Sequence, residues 1–189
     1  ARTPAPRPGG SGAPVDTAER LIPAFPTPTF HHWAASRTVD GPVKTSKDLE
    51  GRVVAVNRGY TVTTGLWVRG ILQHEYGVDP ARVTWMATDE EHVATYRAPA
   101  NVSYDGRGKT AAGLLLSGAC AAAIGDVKTE SAQIQPLIAD ARAAGFAWYR
   151  KTGIYPINHG VVIKSALLVQ MPDIGGRVPH AFLGCIAKK

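Results

Sequence analysis

From Arg52 onward the chain repeats one pattern, a short apolar β-branched run followed by a stretch with helical spacing. Val53 to Val56 is a continuous apolar run, the mark of a strand covered on both faces. Residues 64 to 76 place Val68, Ile71, Leu72 and Tyr76 on one stripe, with Gly77 as the stop. "RVTWMAT" at 82 to 88 reads as a second strand, "KTAAGLLLSG" at 109 to 118 as a helix and "CAAAIGD" at 120 to 126 as a third strand. A further helix is expected over about 134 to 144, then "WYRKTG", a turn, and a strand "HGVVIK" at 159 to 164. Alternation of this kind predicts an α/β protein with a mostly parallel sheet flanked by helices.

The segments before Arg52 read differently. Residues 1 to 20 begin "ARTPAPRPGGSGAP", too rich in Pro, Gly and small residues to offset the entropy of ordering, and read as a flexible tail. Residues 21 to 45 read as a Pro-punctuated connecting segment, residues 46 to 156 as the α/β part, and residues 157 to 189 as a further strand and C-terminal helix.

Charge and cysteine content narrow the function classes. Lys and Arg exceed Asp and Glu by six, but without a dense run, which argues against nucleic acid and for a small anionic or aromatic molecule. Cys120 and Cys185 lie far apart without a CxxC or Cys/His pattern, so buried thiols are expected and neither a metal site nor a cofactor is indicated. No apolar stretch reaches the roughly 20 residues of a membrane helix, so membrane insertion is not expected. The expected compartment is the cytoplasm, or the periplasm if a leader was removed.

In open α/β sheets, ligands bind outside the carboxyl ends of strands. "NRGYTVTT" at 57 to 64 occupies such a place. Gly59 permits a tight turn or a positive φ, Thr61, Thr63 and Thr64 offer capping oxygens, and the first helix amides favour an anion. Arg58 adds a guanidinium and Tyr60 an aromatic wall. The competing reading is a structural cap with Arg58 in solvent. A GxGxxG or P-loop pattern is absent, so nucleotide binding is not indicated.

Other polar groups fall near carboxyl-end loops. "TDEEHV" at 88 to 93 gathers Asp89, Glu90, Glu91 and His92; the acids read as a solvated helix start, and His92 as a group with catalytic potential. Asp126 ends a strand and reads equally as a turn cap or a site residue. His159 opens the last strand. His31 and His32 lie in "PTFHHWAA"; neighbours in a strand face opposite ways, so only one would enter a given site.

The segments "AFPTPTFHHWA", "KDLEGRVVAVNRGYTVTTGLWVRGILQHEYGV", "VTWMATDEEHVATY" and "YRKTGIYPINHGVVIK" together resemble the type 2 periplasmic-binding-protein fold. Within it they resemble the family of 4,5-dihydroxyphthalate decarboxylase and related substrate-binding proteins. The resemblance implies two α/β lobes around a cleft. In this chain one lobe is expected nearly complete and the other largely missing, because a Pro/Gly tail stands where further βαβ elements belong. It implies ligand contacts at His32, Arg58, Tyr60, Thr61 and Thr63, with His92 and His159 as catalytic candidates, while Gly59, Thr64 and Asp126 join the ligand-binding set from their loop positions. His31 stands where relatives tend to have arginine. The function implied is non-oxidative decarboxylation of a hydroxylated aromatic dicarboxylate. The alternatives are a solute-binding protein of an ABC-type transporter, or a truncated non-catalytic relative. Apolar surface left by a missing lobe makes a homo-oligomer an expectation.

Overall fold

The computed structural model describes residues 18–22, 25, 29–93, 95–127 and 130–179. Most of the expected tail, and Cys185, lie outside the described residues. In chain order the elements are β1 (Glu19–Ile22), β2 (Ala35–Thr38), β3 (Val53–Val56), α1 (Thr63–Tyr76), β4 (Thr84–Ala87), β5 (Val102–Ser103), α2 (Ala111–Leu116), β6 (Ala122–Ile124), β7 (Ile134–Pro136), α3 (Ala141–Thr152), β8 (Val161–Lys164) and α4 (Ser165–Gln170). They fall into two compact units, one from the described residues of Ala1–Pro28 and Ile157–Lys189, the other Thr29–Pro156.

In the smaller unit, β1 pairs antiparallel with β8, from Glu19 against Lys164 to Ile22 against Val161. Ile22 and Ile163 are buried there, with Leu167, Leu168, Ile174 and Val178 packed on them. The pairing draws in Glu19 and Arg20, which the sequence reading left in the tail.

The larger unit holds a six-stranded sheet in the order β5-β4-β3-β6-β2-β7. The pairs β5-β4, β4-β3 and β3-β6 are parallel, while β2 runs antiparallel to both β6 and β7. Only β2 therefore runs against the rest, and the fold is α/β with a mostly parallel sheet. Residues 29–45, expected as a connector, instead supply β2, a strand inside the sheet.

Period-2 alternation explains how both faces are covered. Val54 and Val56 of β3, Trp85 of β4 and Ala122 and Ile124 of β6 pack with Val68 and Leu72 of α1. Ala55 and Ala123 point the other way, onto Ala111, Leu114 and Leu115 of α2. Burial on two sides is why these strands read as unbroken apolar runs. α1 ends where expected, at Gly77 in the left-handed region with φ 66°. Cys120 is buried on the α2 side, and burial pushes its thiol up to about 11.

The helix expected over 134 to 144 is not formed. Ile134–Pro136 is the edge strand β7, where a proline is tolerated, and the helix starts later, with Asp140 Oδ1 accepting from the Ala143 amide at 2.9 Å. "WYRKT" is the end of that helix and not a loop after it. Its one buried glycine, Gly145, lets the Phe30 ring lie close. Phe30 also meets Phe146 and Tyr155 at ring distances of 5.2 and 4.8 Å.

A Cβ at position 145 would stand 2.7 to 2.9 Å from atoms of the Phe30 side chain that cannot swing away. Gly145→Ala gains about 1 kcal/mol in helix propensity, but overpacking costs about 1–3 kcal/mol. The expected outcome is a lower thermal midpoint, read by circular dichroism; a raised midpoint contradicts the packing.

Candidate functional site

The chain leaves β3 through α1 to reach β4 on one side, and arrives through α2 at β6 on the other. The strand order thus reverses between β3 and β6. The loops at their carboxyl ends diverge there, which is where open α/β sheets place ligands. Asn57, absent from the sequence reading, ties the two loops together. Its amide donates to the Ile124 carbonyl at 2.8 Å and its side-chain Nδ2 to the Asp126 carbonyl at 3.1 Å. Gly125, at φ 114°, is required for that approach, because a Cβ would lie 2.6 Å from Asn57 Cβ. Asp126 is thereby brought beside the loop after β3 by its backbone.

In that loop the left-handed residue is Arg58, at φ 72°, and not Gly59. A non-glycine residue there carries a cost of order 1 kcal/mol or more, and Thr88 holds it in place. The Arg58 amide donates to Thr88 Oγ1 at 2.7 Å, while the Thr88 amide donates to the carbonyls of Val56 and Arg58 at 3.0 and 3.1 Å. Gly59 serves close approach: a Cβ would stand 2.8 Å from the Glu90 carbonyl oxygen and 3.2 Å from Glu91 Oε2.

The exposed Arg58 side chain reaches His92, with Nη2 3.3 Å from Nε2. A guanidinium only donates, so a hydrogen bond here requires Nε2 as its acceptor. The geometry joins two residues predicted separately.

The amides at this turn already hold an anion. Glu91 Oε1 accepts from the Tyr60 amide at 2.6 Å and the Tyr104 hydroxyl at 3.0 Å. Glu91 Oε2 accepts from the Thr61 amide at 3.0 Å and the Thr61 hydroxyl at 2.5 Å. Burial would raise the Glu91 carboxyl, but these four bonds outweigh it and hold the group below its ordinary value. Burial first, and then the bond to Glu91, push the Tyr104 phenol up to about 12. Segment 89–93 is a bend and not the helix start expected for its acids; Glu90 pairs with Arg107 at 2.9 Å in solvent.

Below the turn lies Arg69, from the fourth position after Gly65 in α1. Its guanidinium carbon is 3.7 Å from the Tyr60 ring centroid and 5.7 Å from that of Trp85. The residue is 6% exposed and Nη1 has no hydrogen-bond partner. Burial lowers its pKa, opposed by Tyr60, Tyr96 and Glu91. The threonines do not cap α1: its N-cap is Val62, without a side-chain cap bond, and Thr63 and Thr64 are half-buried in the first turn.

The other predicted histidines lie elsewhere. His31 and His32 are not in a strand; both are buried at a 3-10 turn, His31 stacked on Trp67 and His32 against Trp148 and Phe30. Neither ring nitrogen of His32 has a hydrogen-bond partner, and burial lowers its pKa against the pull of Glu75. Its ring contacts are to this aromatic group and not to residues 57–61. His159 is exposed in the smaller unit, just before β8. Asn57, Thr88, Glu91, Arg69 and Tyr104 are the functional or supporting residues that the sequence reading did not assign. A separate open hollow of about 560 Å³, lined by Val39, Arg52 and Gly118 among others, sits at the amino ends of β3 and β6.

An α/β unit with anion-holding amides at a topological switch point is the class of protein defined so far. No family model matches the chain. It is similar to the 4,5-dihydroxyphthalate decarboxylase of Comamonas testosteroni, 27% identical over 173 residues, covering 85% of this chain and 52% of that protein. The enzyme of the same name from Pseudomonas putida is 27% identical over 141 residues, covering 68% and 54%. Among solved structures, the periplasmic aliphatic sulphonate binding protein SsuA of Escherichia coli overlaps 71% of this chain and 42% of its own, at 14% identity and a TM-score of 0.35. The similarity to 4,5-dihydroxyphthalate decarboxylases drawn from the motifs is thus met in sequence, at 27% identity. It spans about half the length of the curated relatives it matches. Among the described residues, no helix is long and apolar enough to cross a membrane.

Two outcomes follow from the loop geometry. Thr88→Ala leaves the Arg58 amide unsatisfied and costs about 1–3 kcal/mol, whereas Thr88→Ser retains the hydroxyl and most of the stability; equal losses in denaturant melts contradict the role. Glu91 has a depressed folded pKa, so its contribution is present above its unfolded value, roughly pH 4.3, and is lost as pH falls through the folded value. The stability gap between wild type and Glu91→Gln therefore narrows below about pH 4, and a gap that widens in acid contradicts the bonding.

Proposed function

We propose that the chain binds a small aromatic carboxylic acid at the turn after β3 and takes part in the non-oxidative decarboxylation of a hydroxylated aromatic dicarboxylate such as 4,5-dihydroxyphthalate. The observation that carries this reading is the carboxylate-holding turn at Tyr60 and Thr61, with Arg58 exposed beside it. The names of the relatives supply the substrate class.

The chemistry asks little of the protein beyond charge. The bond between ring carbon and carboxylate breaks, carbon dioxide leaves, and its electron pair stays with the hydroxyl-bearing ring until a proton arrives at that carbon. In this reading Arg58 and the amides hold the retained carboxylate, with Gly59, Tyr60, Thr61, Thr63, Thr64 and Asp126 around them. His92 delivers the proton, and His32 acts through the packing of its aromatic neighbours.

One observation favours a second reading, ligand binding without turnover in the manner of a solute-binding protein. His92 Nε2 faces the Arg58 guanidinium, so the arrangement presents anion donors with the imidazole turned toward one of them.

Incubation with 4,5-dihydroxyphthalate, with carbon dioxide release and calorimetry followed in parallel, separates the readings. Turnover with binding is the expected result, and Arg58→Ala is expected to weaken binding at least about tenfold. Heat of binding without carbon dioxide supports the solute-binding reading, and neither signal overturns both.

A further inference from the structure

We propose that Glu91 is an intramolecular substitute for a ligand carboxylate: it occupies the site formed by Tyr60, Thr61 and Tyr104, and a small external carboxylic acid takes its place there. This rests on the reading of the turn as the ligand site and deepens it.

The site is built by residues other than the one that fills it. Its donors are two consecutive backbone amides, the Thr61 hydroxyl and the Tyr104 hydroxyl, and they bind both oxygens of one carboxylate. Glu91 comes from the bend after β4, 30 residues further along the chain than Thr61. Gly59 leaves room for the group, since a Cβ there would crowd Glu91 Oε2 at 3.2 Å and Cδ at 3.3 Å. Each of these contacts is one that any carboxylate could make.

A second observation is independent of those bonds. Arg69 puts a buried positive charge beneath the Tyr60 ring, packed against Gly65 in the first turn of α1, where a Cβ would lie 3.2 Å from Nη1. That nitrogen has no partner, and among the described residues Arg69 has no carboxylate in salt-bridge contact. A buried cation without its own counter-ion favours a negative charge close by, and that demand persists whichever carboxylate meets it. Exchange of Glu91 for a free acid keeps the charge balance and the hydrogen-bond count. It also frees Glu91 to solvent.

The tether gives Glu91 a high effective concentration, so a monoacid competes poorly in the wild type. A dicarboxylate competes better, because its second group has Arg58 to meet two residues earlier in the turn. Substrate class and internal anion are thereby linked: the loop discriminates for two carboxylates by making the first one displace a resident.

Removing the resident tests this. In the full chain, Glu91→Ala is expected to melt below wild type, and sodium acetate near 50 mM is expected to raise its midpoint by about 3 °C over sodium chloride of equal ionic strength. Wild type is expected to show no acetate-specific gain. Glu91→Gln, which keeps the shape, is expected to bind phthalate at least tenfold more tightly than wild type by calorimetry, a factor equivalent to about 1.4 kcal/mol. Equal effects of acetate and chloride on Glu91→Ala, or phthalate affinity unchanged or weakened in Glu91→Gln, overturn the proposal. Acetate rescue without carbon dioxide release leaves it standing and removes only the decarboxylase reading, whereas turnover with no rescue does the reverse.

Discussion

The parallel pairing of Val54 and Val56 in β3 with Ala122 and Ile124 in β6 fixes where two loops emerge, and the pairing of β3 with β4 brings Thr88 and Glu91 to the first of them. Both strands are buried on both faces, so neither can slip by a residue without turning its inward side chains over. The register is carried past the strand ends by Asn57, which continues the ladder to the Ile124 carbonyl and then crosses to Asp126. A rigid sheet therefore hands a defined geometry to residues 57–61, the condition for holding a ligand group with few contacts.

Two opposed charges share that small volume. Arg69 is buried against Tyr60 and Trp85, and Glu91 stands on the amides above the same tyrosine. Neither makes a salt bridge with the other, yet the charge of Glu91 raises the pKa of Arg69 against the burial that lowers it. Buried cations are expensive unless an anion is near, and here the anion is attached through donors that would serve an external carboxylate equally well. On the proposed displacement of Glu91, stability and ligand affinity draw on the same hydrogen bonds.

The sequence made the buried strands legible because burial on two faces leaves no polar interruption; Val53–Val56 is an instance, and α1 followed from its stripe and Gly77. β7 was not legible. Ile134 and Leu137 mimic helical spacing, while the pairing with β2 that makes Ile134–Pro136 a strand involves partners about 100 residues away. Asp140 was a readable helix start, masked by the alanines around it. At the site, the turn itself and the neighbourhood of Arg58 and His92 could be read from loop position. Glu91 could not, because the amides it binds lie 30 residues earlier and nothing in "TDEEHV" distinguishes the acid that turns inward from those that do not. His32 was read as a ligand contact from the resemblance alone, and no sequence signal showed that its ring lies against Phe30 and Trp148.

The strain at Arg58 bears on which way the chemistry runs. A left-handed non-glycine residue persists where its surroundings over-determine it, and Thr88 supplies three hydrogen bonds around it. Glycine would relieve that strain at position 58 but would remove the guanidinium, so the left-handed conformation and the charge have to be held together. The guanidinium in turn fixes His92 as an acceptor. Whatever draws the Arg58 side chain away also breaks its contact with His92 Nε2. The backbone conformation at Arg58 and the position of the imidazole are therefore set together.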